Sequence, residues 1–151
     1  MARIKPDTEA IELAITREID ARNFYLALAE RLDNPRLSKI LEDLAEEEVE
    51  HRAKLEMELI KNGIVVDTAR KDKSFQPSDY VMCNEAQINL DLKDILEMCI
   101  QKEDSSFRFY IDMLSHAQDK NTKETLLALI EEEIKHKSRF QSEYENLFKK
   151  H

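Results

Sequence analysis

Apolar residues recur along this chain at alternating steps of three and four, and each of four such runs carries a glutamate on its apolar line. The first seam reads Ile11, Ala14, Glu18, Ala21, Tyr25, Leu28, and the second Leu37, Leu41, Leu44, Glu48, His51, Leu55. The third follows Leu92, Leu96, Cys99, Glu103, Ser106, Tyr110, Met113, and the fourth Leu126, Leu129, Glu133, His136, Phe140, on towards Leu147. This is the spacing of helices that bury one face in a bundle, and it predicts helices over about 7–32, 35–62, 90–117 and 121–149.

Local signals set the ends. Asp7 follows Pro6 as an N-cap candidate, Asn34 caps and Pro35 opens the second helix, and Asn62-Gly63 supplies its C-terminal stop. Asn121-Thr-Lys-Glu124 has the form of a capping box for the fourth. The short link at residues 33 and 34 makes the first two helices antiparallel neighbours. Residues of about 64–88 break the period, with a polar stretch up to Pro77 and a brief apolar patch, Tyr80-Val-Met-Cys83. A bundle helix of roughly 25 residues is about 37 Å long, a height that a segment of this length can run in extended form. The expected architecture is all-α: one domain over 1–151, a four-helix bundle of two helical hairpins joined by a long crossover, with Phe75, Tyr80 and Met82 anchoring the crossover to the bundle or to a second subunit.

The two halves repeat. Leu44-Ala-Glu-Glu-Glu-Val-Glu-His51 matches Leu129-Ile-Glu-Glu-Glu-Ile-Lys-His136 at an offset of 85 residues, and the same offset relates Glu18 with Phe24-Tyr25 to Glu103 with Phe109-Tyr110. A lone Glu-x-x-His in a chain with 36% charged residues is more often a solvated helix face than a metal site. Two copies in register, each on an apolar seam and each preceded by a seam glutamate 30 residues earlier, point elsewhere.

Composition narrows the class. One Gly and three Pro leave few helix breakers, in keeping with long helices. A net charge of −9 without a basic stripe disfavours nucleic acid and anionic membranes as partners and suits a protein that handles cations. No apolar run approaches a membrane span and the first residues do not read as a signal peptide, so a cytoplasmic location is expected. Cys83 and Cys99 form no C-x-x-C, which excludes a zinc knuckle or a rubredoxin-type iron site built from them. Cys99 lies on a seam as a small core residue.

Four carboxylates in a dry core repel one another unless protonated or met by cations, and two divalent ions cancel four negative charges. Glu18, Glu48, His51, Glu103, Glu133 and His136 are thus candidate ligands of a dinuclear centre. Carboxylate oxygen with imidazole nitrogen suits iron, with manganese or zinc possible on the same donors. Tyr25 and Tyr110, two turns beyond Glu18 and Glu103, are candidates to hydrogen-bond ligand carboxylates or are plain core residues. Glu46, Glu47, Glu131 and Glu132 read as solvated, although Glu47 and Glu132 stand one turn before the histidines. His116 has no counterpart in the other half, and His151 is terminal.

The doubled motif resembles the ferritin-like di-iron carboxylate proteins, a pattern for which the paired Glu-x-x-His is diagnostic, and within them the rubrerythrin family. The resemblance covers all four helices. It implies a ferritin-like bundle, two iron ions on the six residues named, and a di-iron oxidoreductase of the peroxidase or ferroxidase type acting in oxidative stress on hydrogen peroxide or dioxygen, as a homodimer. Rubrerythrins usually carry a C-terminal rubredoxin domain and a further glutamate three residues after the third-helix ligand. Here no such module follows the fourth helix and that position is Ser106. The expectation is peroxide reduction with electrons from a separate donor protein; the alternatives are a ferroxidase or iron-handling protein, and a non-catalytic scaffold stabilised by metal.

Overall fold

The computed structural model describes residues 6–64 and 91–148. These form four α-helices and no strand: α1 Pro6–Arg31, α2 Pro35–Lys61, α3 Leu92–His116 and α4 Lys120–Phe148. The all-α class and four-helix content are as expected, and each helix lies within two residues of its anticipated ends. The chain divides into two compact units, Met1–Asn84 and Glu85–His151. α1 packs on α2 in the first, and α3 on α4 in the second. The expected crossover, with Phe75, Tyr80, Met82 and Cys83, lies outside the described residues, as does His151.

In the first hairpin the turn is built by its own chemistry. Asn34 adopts extended backbone and its Oδ1 accepts the Leu37 amide at 3.0 Å, while Pro35 fills the first helical position, where no amide is needed. Ser38 Oγ donates to the Ala29 carbonyl at 3.1 Å, tying the start of α2 to the end of α1. At the far end Gly63 takes a φ of 79°, which lets its amide reach the Ile60 carbonyl and that of Ile64 reach Leu59, both at 2.9 Å. That pair of bonds is a Schellman stop.

The second hairpin starts at Asp91, whose side chain accepts the Asp94 amide at 2.9 Å. α4 corrects one expectation, because its cap is Asp119 rather than a box at Asn121. Asp119 Oδ2 accepts the Thr122 amide at 3.2 Å and its carbonyl accepts the Lys123 amide at 3.0 Å, so the helix opens at Lys120. An aspartate supplies both the acceptor and a negative charge at the positive end of the helix, and Asn121 is left exposed. Asp7 also departs from its expected role, since α1 begins one residue earlier and Asp7 lies inside the first turn.

The seams are the core. Ile11, Ala14, Tyr25 and Leu28 of α1 and Leu41, Leu44 and Leu55 of α2 are buried, with Ile15 and Ile19 flanking the line; Leu96, Cys99, Tyr110, Leu126, Leu129 and Phe140 play the same part in the second unit. The α4 seam does not continue to Leu147, which is half exposed. Glu143 takes the buried place instead. Leu92 and Ser106 sit only partly inside.

Candidate metal centre

Each hairpin sets the seam glutamate of its first helix against the histidine of a Glu-x-x-His pair on its second. Three residues apart on a helix is just under one turn, so glutamate and histidine share a face. In the first hairpin His51 Nδ1 lies 3.2 Å from Glu18 Oε1, a hydrogen bond from α2 to α1, and 3.7 Å from Glu48 Oε1. One donor atom from each of Glu18, Glu48 and His51 falls within 4.8 Å of the other two. In the second, His136 Nδ1 lies 3.5 Å from Glu103 Oε1, and Glu133 is one turn before it. All six residues are at most 2% exposed.

It is Nδ1 that faces the glutamate of the preceding helix in both halves. The donor set passes a simple test of fit. Ligands bonded at about 2.1 Å in tetrahedral or octahedral geometry stand roughly 3.0–3.4 Å apart, close to the separations of these imidazoles and carboxylates. Charge points the same way: each half holds two glutamates and one histidine, so even an imidazolium leaves a surplus negative charge in a buried place. Hard carboxylate oxygens with borderline imidazole nitrogen suit iron, manganese or zinc.

Tyr25 and Tyr110 are buried, each edge-on to the phenylalanine before it, with ring centroids 5.5 Å apart in both pairs. The repeat is thus kept in aromatic packing as well as in the acids. Glu46 and Glu131 are exposed, Glu47 and Glu132 half-buried, and Glu132 lies 3.7 Å from Lys135. His116 is exposed, with Nδ1 2.9 Å from the Asp112 carbonyl, and takes no part in either half. Burial pushes the Cys99 thiol well above its ordinary range, and the charge of Glu103 adds to the effect. Sequence reading passed over two buried acids, Glu58 and Glu143. Both continue the seam seven residues after a histidine and are related by the same offset of 85, a signal that was there to be read.

A family model described as Rubrerythrin matches residues 9–144. The chain belongs to the rubrerythrin family. The match takes in all six seam ligand candidates and both hairpins, and with it the ferritin-like four-helix class expected from the motifs. No curated protein matches the chain closely enough to count as a relative. No described helix is long and apolar enough to cross a membrane.

Proposed function

We propose that this protein is a di-iron oxidoreductase that reduces hydrogen peroxide, with its two iron ions on Glu18, Glu48, His51, Glu103, Glu133 and His136 and its electrons from a separate donor protein. The observation that carries the reading is the pair of buried half-sites, each with two carboxylates and one imidazole, in a member of the rubrerythrin family. When bound, two ferrous ions supply the two electrons that convert hydrogen peroxide, with two protons, into two waters.

The chain's own groups do the rest. Four carboxylates match the charge of two divalent ions, so the loaded core is neutral in its acids. Burial keeps bulk water from the reacting atoms and strengthens each electrostatic contact there. The Glu18–His51 bond holds the imidazole with Nδ1 towards the acids, an orientation fixed before metal arrives. These 151 residues hold two cysteines, fewer than the four thiolates of a rubredoxin centre.

The iron-handling reading draws on one observation, Ser106, a half-buried hydroxyl where the family tends to place another carboxylate. Stopped-flow mixing of the anaerobic ferrous protein with peroxide and, separately, with dioxygen separates the two. Faster oxidation by peroxide is expected. Faster oxidation by dioxygen, with ferric iron accumulating over repeated additions, would hand the case to iron handling. Peroxide consumption left intact by Glu48→Ala and His136→Ala would remove the site assignment.

A further inference from the structure

The 85-residue repeat is kept at every ligand candidate, but just after Glu103 an apolar residue of the first half gives way to an acid, Ile19 to Asp104. Asp104 follows Glu103 and Lys137 follows His136, and across the hairpin Lys137 Nζ meets Asp104 Oδ1 at 2.9 Å. The other carboxylate oxygen of Asp104 is taken by Arg108 Nε at 2.7 Å, from its own helix. In the first hairpin the corresponding positions are Ile19, which is buried, and Arg52, which bonds Glu56 of its own helix at 3.0 Å. At that level the first half has the buried Ile19 and the Glu18–His51 hydrogen bond. The second half has an ion pair at that level, and its His136–Glu103 separation is the longer of the two, 3.5 Å against 3.2 Å.

We propose that Asp104 and Lys137 are a positioning pair that sets the metal-binding geometry of the Glu103–His136 half-site. The inference rests on the reading of these residues as ligands given above. A slip of one residue moves a helix by about 1.5 Å along its axis and turns it by about 100°, enough to take a ligand off its bearing. A bond between the residues next to the two ligands resists both motions at the level where they matter. Half-exposed ion pairs contribute little to global stability, so loss of the pair shows in the site before it shows in the fold.

Titration of the full-length metal-free protein with Co(II), followed by its d–d absorption, tests this. The step that belongs to the second half is the one abolished by His136→Ala. Lys137→Met and Asp104→Asn should each weaken that step by about ten-fold and change its spectrum, the usual reach of a group that orients a ligand, while the other step is unmoved. Lys137→Arg should restore it. Circular dichroism should be that of the unmodified protein throughout. Wild-type affinity and spectrum in both loss variants would overturn the proposal, as would an equal effect from Arg108→Gln, failure of Lys137→Arg to restore, or collapse of both loss variants. If the unmodified protein takes up no Co(II), the metal reading falls and this inference with it; uptake with unmoved variants overturns this inference alone.

Discussion

Replacing Glu48 by leucine should stabilise the metal-free protein and abolish most of its stabilisation by metal. The Glu48 carboxylate is fully buried, 3.7 Å from His51 Nδ1, and an oxygen of it lies within 4.8 Å of one from Glu18. At an effective dielectric constant of about 20, even a charged imidazole at that distance would attract the carboxylate by only about 4 kcal/mol, and the repulsion between the two carboxylates is at least about 3 kcal/mol. Repulsion thus offsets most of that attraction. Stripping water from the carboxylate costs several kcal/mol more, which the leucine does not incur. Glu18 and His51 keep their hydrogen bond, and Glu48 stands on a seam whose neighbours Leu44 and Leu55 already pack as leucines. The expected gain is about 1–4 kcal/mol in urea unfolding with a chelator present. With Fe(II) added anaerobically at about 100 times its dissociation constant, the unmodified protein should gain about 2.7 kcal/mol and the variant much less. Destabilisation of the metal-free variant, or an undiminished gain from metal, would refute the electrostatic argument.

Three further outcomes follow from the same structure. Leu44→Ala, at a fully buried seam position, should cost about 2–5 kcal/mol in urea unfolding. In a Cys83→Ser background, Cys99 should resist a thiol reagent such as DTNB at neutral pH and react at once in denaturant, because burial and Glu103 push its thiol up; rapid labelling of the folded protein would contradict its place in the core. The bond with Lys137, and then that with Arg108, lowers the Asp104 carboxyl from its ordinary 3.8, so its contribution is complete above that value and is lost as pH falls through the lower, folded one. Metal-free Asp104→Asn should therefore unfold more readily than the unmodified protein at pH 7, with the gap closing in acid; a gap that widens in acid would show the sign to be wrong.

The helices and the site were legible for one reason: seam periodicity and an internal repeat are both long-range signals, insensitive to any single residue. Glu18 and Glu103 stood out because a leucine was expected there, and Glu48 with His51 because the step between them matched the seam. Single-residue chemistry was harder to read. Asp119 took the α4 cap from Asn121 because a carboxylate one residue before the helix outcompetes a box pattern, which spacing alone does not reveal. Leu147 proved exposed because the buried seam stops short of it, with Glu143 the last α4 residue inside. The Asp104–Lys137 bond was hidden for a related reason. Its partners are 33 residues apart and lie off the apolar line, where neither repeat nor period points to them.

Metal content is the most direct test of the proposed reading, that the six buried seam residues hold two metal ions per chain. Anaerobic titration of the metal-free protein with Fe(II), read by metal analysis after desalting, should saturate at two ions per chain and fall towards one in His51→Ala or His136→Ala. Saturation at zero in the unmodified protein, or at two in both variants, would contradict it.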